Sequence, residues 1–194
     1  MEFTLSPTKD LHHLKQCFEN NMDYCEQSTL MRSIEFNRPQ MVEFLSQRGL
    51  VKPEDLLCDY PLHAAAEVGS VEIIQILLKH GYNADSQNMA GDTPLHVAAE
   101  GMKLDCVKII LDHGAKTDLV NSNSDSVLHS AARTGDYEIM KELIDKGCDV
   151  GARNGMKDTP LHTLAAVTQL DDVRAAILLL EHGASLTDKY QHHI

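Results

Sequence analysis

Residues 92–102 read DTPLHVAAEGM, and the fold turns on this phrase because the chain repeats it. Other copies are DYPLHAAAEVG from Asp59, DSVLHSAARTG from Asp125 and DTPLHTLAAVT from Asp158. Their histidines, His63, His96, His129 and His162, each stand 33 residues from the last. Four matched phrases at three equal spacings mark a stacked-repeat architecture, in which one unit cannot bury its apolar face without the next.

A second phrase follows each of these. It ends VEIIQILLKHG at Gly81, LDCVKIILDHG at Gly114, YEIMKELIDKG at Gly147 and VRAAILLLEHG at Gly183. The interval from His to Gly is 18 residues in the first three units and 21 in the fourth, so three extra residues lie between the last two phrases. Each unit predicts two helices. The Thr93 hydroxyl suits an N-cap, and Pro94 suits the first helical position, where its missing N–H is not needed. Leu95, Ala98 and Ala99 share one helical face, and the alanines let neighbouring helices approach closely. Leu104, Val107, Ile110 and Leu111 make the apolar stripe of the second helix. Gly114 then supplies the left-handed residue that ends it. About a dozen polar residues lead to the next phrase, too few and too polar for another helix, and suited to a hairpin-like turn.

These residues resemble the ankyrin repeat in period, in the TPLH phrase and in the terminal glycine. The likeness is closest at Thr93–His96 and Thr159–His162. It loosens at Tyr60–His63, which lacks the Thr, and at Ser126–His129, which lacks the Pro. A degenerate copy, STLMRSIEFNRPQMVEFLSQRG, runs from Ser28 to Gly49. Before it, Ser6-Pro7 opens an amphipathic stretch with Leu11, Leu14 and Phe18, which resembles a lone capping helix. The resemblance implies an all-α ankyrin-repeat solenoid of stacked helix-turn-helix units with short hairpin-like loops. The expected units are a cap and linker at 1–27, a degenerate repeat at 28–57, and repeats at 58–90, 91–123 and 124–156. A last repeat at 157–194 carries the three-residue insertion and breaks off about where the next TPLH would begin. In it, Ile177 replaces the polar Gln75, Lys108 and Lys141 of earlier copies. Either the stack continues in a longer protein, or something covers this end, or Ile177 packs against residues 167–172.

Composition limits the partners. Acids outnumber bases 29 to 17, for a net charge of −12, and no basic run exists. Nucleic acid and anionic membrane are therefore not expected, since both demand clustered Lys and Arg. The five cysteines, Cys17, Cys25, Cys58, Cys106 and Cys148, form no CxxC pair and read as free thiols in a reducing compartment. No apolar stretch reaches membrane-spanning length, and the N-terminus lacks the pattern of a secretory signal. The expected setting is the cytoplasm or nucleus.

Eleven histidines raise the question of a metal. The four phrase histidines sit one repeat apart, and packed helices lie about 8–10 Å apart, whereas zinc holds its ligands at about 2 Å. In the ankyrin family this histidine bonds backbone near the turn and links adjacent repeats. His80, His113 and His182 precede terminal glycines, where a cation suits the helix dipole. His12, His13, His192 and His193 match no metal-binding pattern. Cys106 and Cys148 read as core or loop filler, and Asp171-Asp172 as the start of a helix. Nothing assembles a nucleophile, base and orienting group, so no catalytic residue, metal, cofactor or small-molecule substrate is expected.

The resemblance implies instead a protein partner, held on a concave surface of hairpin tips and first helices. Carried over through the repeat, that surface comprises Asp59, Glu67, Met89, Asp92, Glu100, Ser122, Asn123, Asp125, Arg133, Met156 and Asp158. Asp59, Asp92, Asp125 and Asp158 recur in one place. They suit the starts of their own helices, or form an acidic column that steers a partner with a basic face. The column predicts that Lys at 92 and 125 slows association and leaves stability nearly unchanged. The functional expectation is an intracellular adaptor or an inhibitor that occludes its target. The alternative is a regulatory ankyrin segment of a larger enzyme or channel.

Overall fold

The cap expected at Thr93 forms. Its Oγ1 accepts from the His96 amide, the His96 ring reaches back to the Thr93 amide, and Pro94 takes the first turn. Helices follow at Pro94–Glu100 and Leu104–Asp112. The computed structural model describes residues 26–48, 60–167 and 173–185, and this helix pair recurs along them. In chain order the described helices are α1 (Glu26–Glu35), α2 (Pro39–Gln47), α3 (Pro61–Val68), α4 (Val71–Lys79) and α5 (Pro94–Glu100). They continue with α6 (Leu104–Asp112), α7 (Val127–Thr134), α8 (Tyr137–Asp145), α9 (Pro160–Ala165) and α10 (Arg174–Glu181). Among the described residues the sheet-like pairing is one isolated antiparallel bridge, Val120 to Ser126. The architecture is all-α.

The odd-numbered helices pack on one another in sequence, forming a front row, and the even-numbered helices form a rear row behind them. Alanines hold the front row close: Ala65, Ala66, Ala98, Ala99, Ala131 and Ala132 are all fully buried. Between the rows lie Ile73, Ile74, Leu77, Val107, Ile110, Ile139, Met140 and Leu143, each at most 1 % exposed. Burial of one such large side chain stabilises by about 1.5–3 kcal/mol, so the seam between repeats is the main source of stability. Leu104, placed on the stripe by its spacing, is only half-buried, and Cys106 fills the buried place beside Val107. Gly114 ends its helix at φ +82°, a left-handed conformation that costs glycine nothing.

The degenerate first unit joins the same seam. Leu30, Ile34, Val42 and Leu45 are fully buried although the histidine of the later repeats is Met31 here. Its first helix begins at Glu26, two residues ahead of the expected unit boundary. The capping stretch before it, with Leu11, Leu14 and Phe18, lies outside the described residues, as do Asp59 and the Asp171-Asp172 pair. At the other end Leu180 is 42 % exposed, whereas its counterparts Leu111 and Ile144 are buried under the following repeat. Ile177 is 48 % exposed, on the outward place that Gln75, Lys108 and Lys141 fill in the inner units. No helix among the described residues is long and apolar enough to cross a membrane.

Candidate functional site

Asparagines build the hairpins. Asn88, Asn121 and Asn154 stand 33 residues apart, and each side-chain oxygen accepts from two amides of its own loop. Asn88 Oδ1 accepts from Ala90 and Asp92, Asn121 Oδ1 from Asn123 and Asp125, and Asn154 Oδ1 from Met156 and Asp158, all at 2.9–3.0 Å. The amide end of the same side chain reaches back one repeat. Asn121 Nδ2 donates to Asp92 Oδ1, and Asn154 Nδ2 donates to Asp125 Oδ1, both at 2.8 Å. Backbone bonds from Ser122 to Ala90 and from Gly155 to Asn123 join the tips directly. The approach is close at Gly91, where a Cβ would lie 2.7 Å from the Ser122 amide nitrogen.

The histidines tie each hairpin to the helix before it. In His96, Nδ1 accepts from the Thr93 amide and hydroxyl, so the proton resides on Nε2, which donates to the Asp125 carbonyl at 3.2 Å. His129 does the same between Ser126 and the Asp158 carbonyl, at 2.9 Å. His63 donates to the Asp92 carbonyl at 2.7 Å, but its buried Nδ1 has no partner. Tyr60 stands where the other units have Thr or Ser, and meets the His63 ring edge-on at 5.1 Å. Burial pulls the pKa of His63, His96 and His129 below the ordinary value, because charging them would strand a cation away from water. Inter-repeat linkage, which the family resemblance implied for these histidines, is their observed arrangement.

Asp92, Asp125 and Asp158 stand just before the N-caps of their helices, and two of them also tie repeats together. Asp125 is 3 % exposed. Its Oδ2 accepts from Arg133 at 2.9 Å and its Oδ1 from Asn154. Burial works to raise its pKa, but the bonds from Arg133 and Asn154 prevail and hold the carboxyl below the ordinary range. Asp125 is therefore an internal tie, both of its carboxylate oxygens already engaged. Asp92 and Asp158 are half-buried, and Asp92 carries the bond from Asn121. Lys at 125 would break both bonds, so a cost in stability is expected there. Helix-start position could not reveal this, because the Asn donor lies 29 residues further on. The recurrence of Asn at the repeat period was the available signal.

The remaining carried-over positions are open. Met89 and Met156 are 82 % and 77 % exposed at the hairpin tips, beside exposed Ser122 and Asn123. Glu67 and Glu100 are exposed on α3 and α5. Arg133, on α7, bridges two repeats, with Nε 3.7 Å from Glu100 and a further bond to Ser130 Oγ. The structure thus sets Glu100, Asp125 and Arg133 in one charged cluster, with the exposed tips forming a separate margin. Phe36, Val68 and Met102, exposed at 62 %, 37 % and 60 %, were not singled out from the sequence.

Among the described residues the two thiols are held protonated. Burial pushes the Cys148 thiol up to about 12 and raises Cys106 as well, so neither presents a thiolate near neutrality. Among the described residues no group of three or more His, Cys, Asp or Glu could hold a metal ion. A family model described as Ankyrin repeats (3 copies) matches residues 30–121 and 105–190. No curated protein gives a significant match.

Proposed function

The chain belongs to the ankyrin repeat family, and from that premise we propose that it is an intracellular adaptor or occluding inhibitor whose partner sits on the front row and hairpin tips. Ankyrin repeats are protein–protein interaction modules. The observation that carries the finer reading is a division of labour within each repeat. Positions that pack are alike from copy to copy, as in Leu62, Leu95, Leu128 and Leu161, all buried. Positions that face outward vary, as in Met89, Ser122 and Gly155 at the tips, and Arg133 and Ala166 where earlier front helices carry Glu67 and Glu100, while the loops beside them are held by the Asn and His bonds. Rigid backing with varied exposed side chains is what lowers the ordering cost of binding and lets one surface select a partner. A partner with a basic face would meet the exposed glutamates. The reading assigns no catalytic residue and no cofactor.

The test is affinity capture from the native cell, followed by cross-linking of the captured partner. Glu67→Lys, Met89→Asp and Met156→Asp should each reduce capture, while Lys108→Glu on the rear row should not. Capture that is the same for all four variants would refute the surface. The alternative, a regulatory segment of a larger enzyme or channel, draws on the exposed Leu180 and Ala165, whose counterparts in inner repeats are covered. Cross-links from residues 165–180 into a catalytic or pore domain of the same polypeptide would favour it.

A further inference from the structure

Two rows of exposed side chains cross the first three repeats where the front helices end. Glu35, Glu67 and Glu100 occupy one equivalent place in α1, α3 and α5, and all are exposed. Next to them come Phe36, Val68 and, one residue further along, Met102, exposed to 62 %, 37 % and 60 %. Single exposed apolar residues need no explanation, but three beside a row of acids do, two of them in equivalent places and the third one residue on, after Gly101. Met102 adds a second sign. It holds φ +53° at the place where the neighbouring repeats have Gly69 and Gly135 and the first unit has Asn37 at φ +50°, a conformation that asparagine tolerates better than methionine. Strain kept at an exposed position points to a use for the side chain.

Basic groups bound the rows. Arg32 lies over the Phe36 ring at 6.0 Å, and Arg133 engages Glu100 at 3.7 Å. Lys103 lies along Gly69, and Arg38 is exposed after Asn37. The exposed acid beside Val68 is Glu67, with Glu35 one repeat before it, and the Lys103 stem passes on the other side along Gly69.

We propose that this double row seats one amphipathic helix with basic flanks, supplied by a partner protein and laid across α1, α3 and α5. The inference rests on the protein-binding reading above and specifies its partner. Spacing selects a helix. Neighbouring packed helices lie about 8–10 Å apart. A guest helix rises about 1.5 Å per residue, so every seventh residue returns to the same face about 10.5 Å along. Apolar residues at i, i+7 and i+14 therefore meet Phe36, Val68 and Met102 in turn. Lys or Arg three or four residues from each falls beside Glu35, Glu67 and Glu100. An extended segment advances about 3.3 Å per residue, so about three residues span one repeat, and that odd step turns the next side chain to the wrong face.

The probe is a fluorescein-labelled synthetic peptide of about 18 residues, helical, with Leu at i, i+7 and i+14 and Lys beside them. A scrambled peptide of equal composition is the control. Fluorescence anisotropy against the full chain should show the ordered peptide binding about tenfold or more tighter than the scrambled one. Glu67→Lys and Val68→Asp should each remove most of that preference, and Met102→Gly should weaken binding without unfolding the chain. Equal binding of the two peptides, or indifference to Val68→Asp in a chain with an unchanged melting curve, overturns the proposal. The wider reading is tested apart. If the native partner is still captured through the tips while the peptide shows no preference, the guest helix is wrong and the binding module stands. If front-row and tip variants all leave capture intact, the wider reading falls.

Discussion

Replacing Asn121 with Ala removes two bonds within its hairpin and one between repeats, and the cost can be worked from their surroundings. The side chain is 9 % exposed. Its oxygen accepts from the Asn123 and Asp125 amides at 2.9 and 3.0 Å, and its nitrogen donates to the Asp92 carboxylate at 2.8 Å. A neutral bond contributes about 0.5–1.5 kcal/mol net, and one to a charged group about 1.5–3 kcal/mol. Asn123 is exposed and Asp92 half-buried, so water takes over part of what is lost there, while the amide of buried Asp125 is left stranded. The expected destabilisation is about 2–4 kcal/mol. Urea unfolding followed by circular dichroism measures it, since the chain has no tryptophan to report by fluorescence. Hydrogen exchange should also quicken at the amides of residues 123 and 125. A double-mutant cycle with Asp92→Ala isolates the bond between repeats and should return a coupling of about 1 kcal/mol. A loss under about 0.5 kcal/mol for Asn121→Ala would refute the reasoning. It would mean that backbone bonds such as Ser122 to Ala90 hold the hairpins without the asparagines.

Met102→Gly should raise stability by about 1 kcal/mol, because the left-handed backbone there then carries no side-chain penalty; an unchanged or lower urea midpoint would count against the strain. Asp92→Lys should cost about 1 kcal/mol, whereas Asp125→Lys, which buries a cation beside Arg133, should cost about 3–5 kcal/mol, and equal losses would deny the difference in burial. Acid should destabilise the stack through His63, His96 and His129. Their folded pKa values lie below the unfolded value of about 6.5, so the unfolded chain takes up protons first; stability is full above that pH and falls as pH drops below it. Each histidine contributes up to about 1.4 kcal/mol per pH unit, and urea midpoints flat from pH 7.5 to 5 would contradict the burial. Tyr60→Thr should give His63 Nδ1 its missing donor and add about 1 kcal/mol, seen as a higher melting temperature; a lower one would show that the edge-on Tyr60 ring matters more.

Most of the fold was readable because its chemistry is local. Thr93 caps a helix through an amide three residues away, and Gly114 ends one through its own backbone freedom, so short windows of sequence carry both. The alanine pairs were equally clear, since small size on one helical face has one structural use in a stack. What the sequence concealed lies between repeats. Asn121 reads as one more polar loop residue until its partner at Asp92 is known, and the two stand 29 positions apart. The strain at Met102 was hidden for a related reason. Its role follows from alignment with Gly69 and Gly135, and the visible phrase there, Glu-Gly-Met, put the glycine one residue early.

The aspartates show why a column of like residues is not a column of like charge. Asp125 spends its carboxylate on Arg133 and Asn154, and Asp92 is half-buried under Asn121. A partner approaching the front row therefore meets little of their field. The acids it does meet are Glu35, Glu67 and Glu100, one helix turn or more removed from the hairpins, and of these Glu100 is already shared with Arg133. Long-range attraction from the net charge of −12 will bring a basic partner near. Where it settles must then be decided by the few exposed acids that lie beside apolar contacts, since a charge in open solvent contributes little once salt screens it. On these grounds neutralising Glu67 should alter affinity more than neutralising Asp92, although Asp92 belongs to the more conspicuous repeat of the sequence.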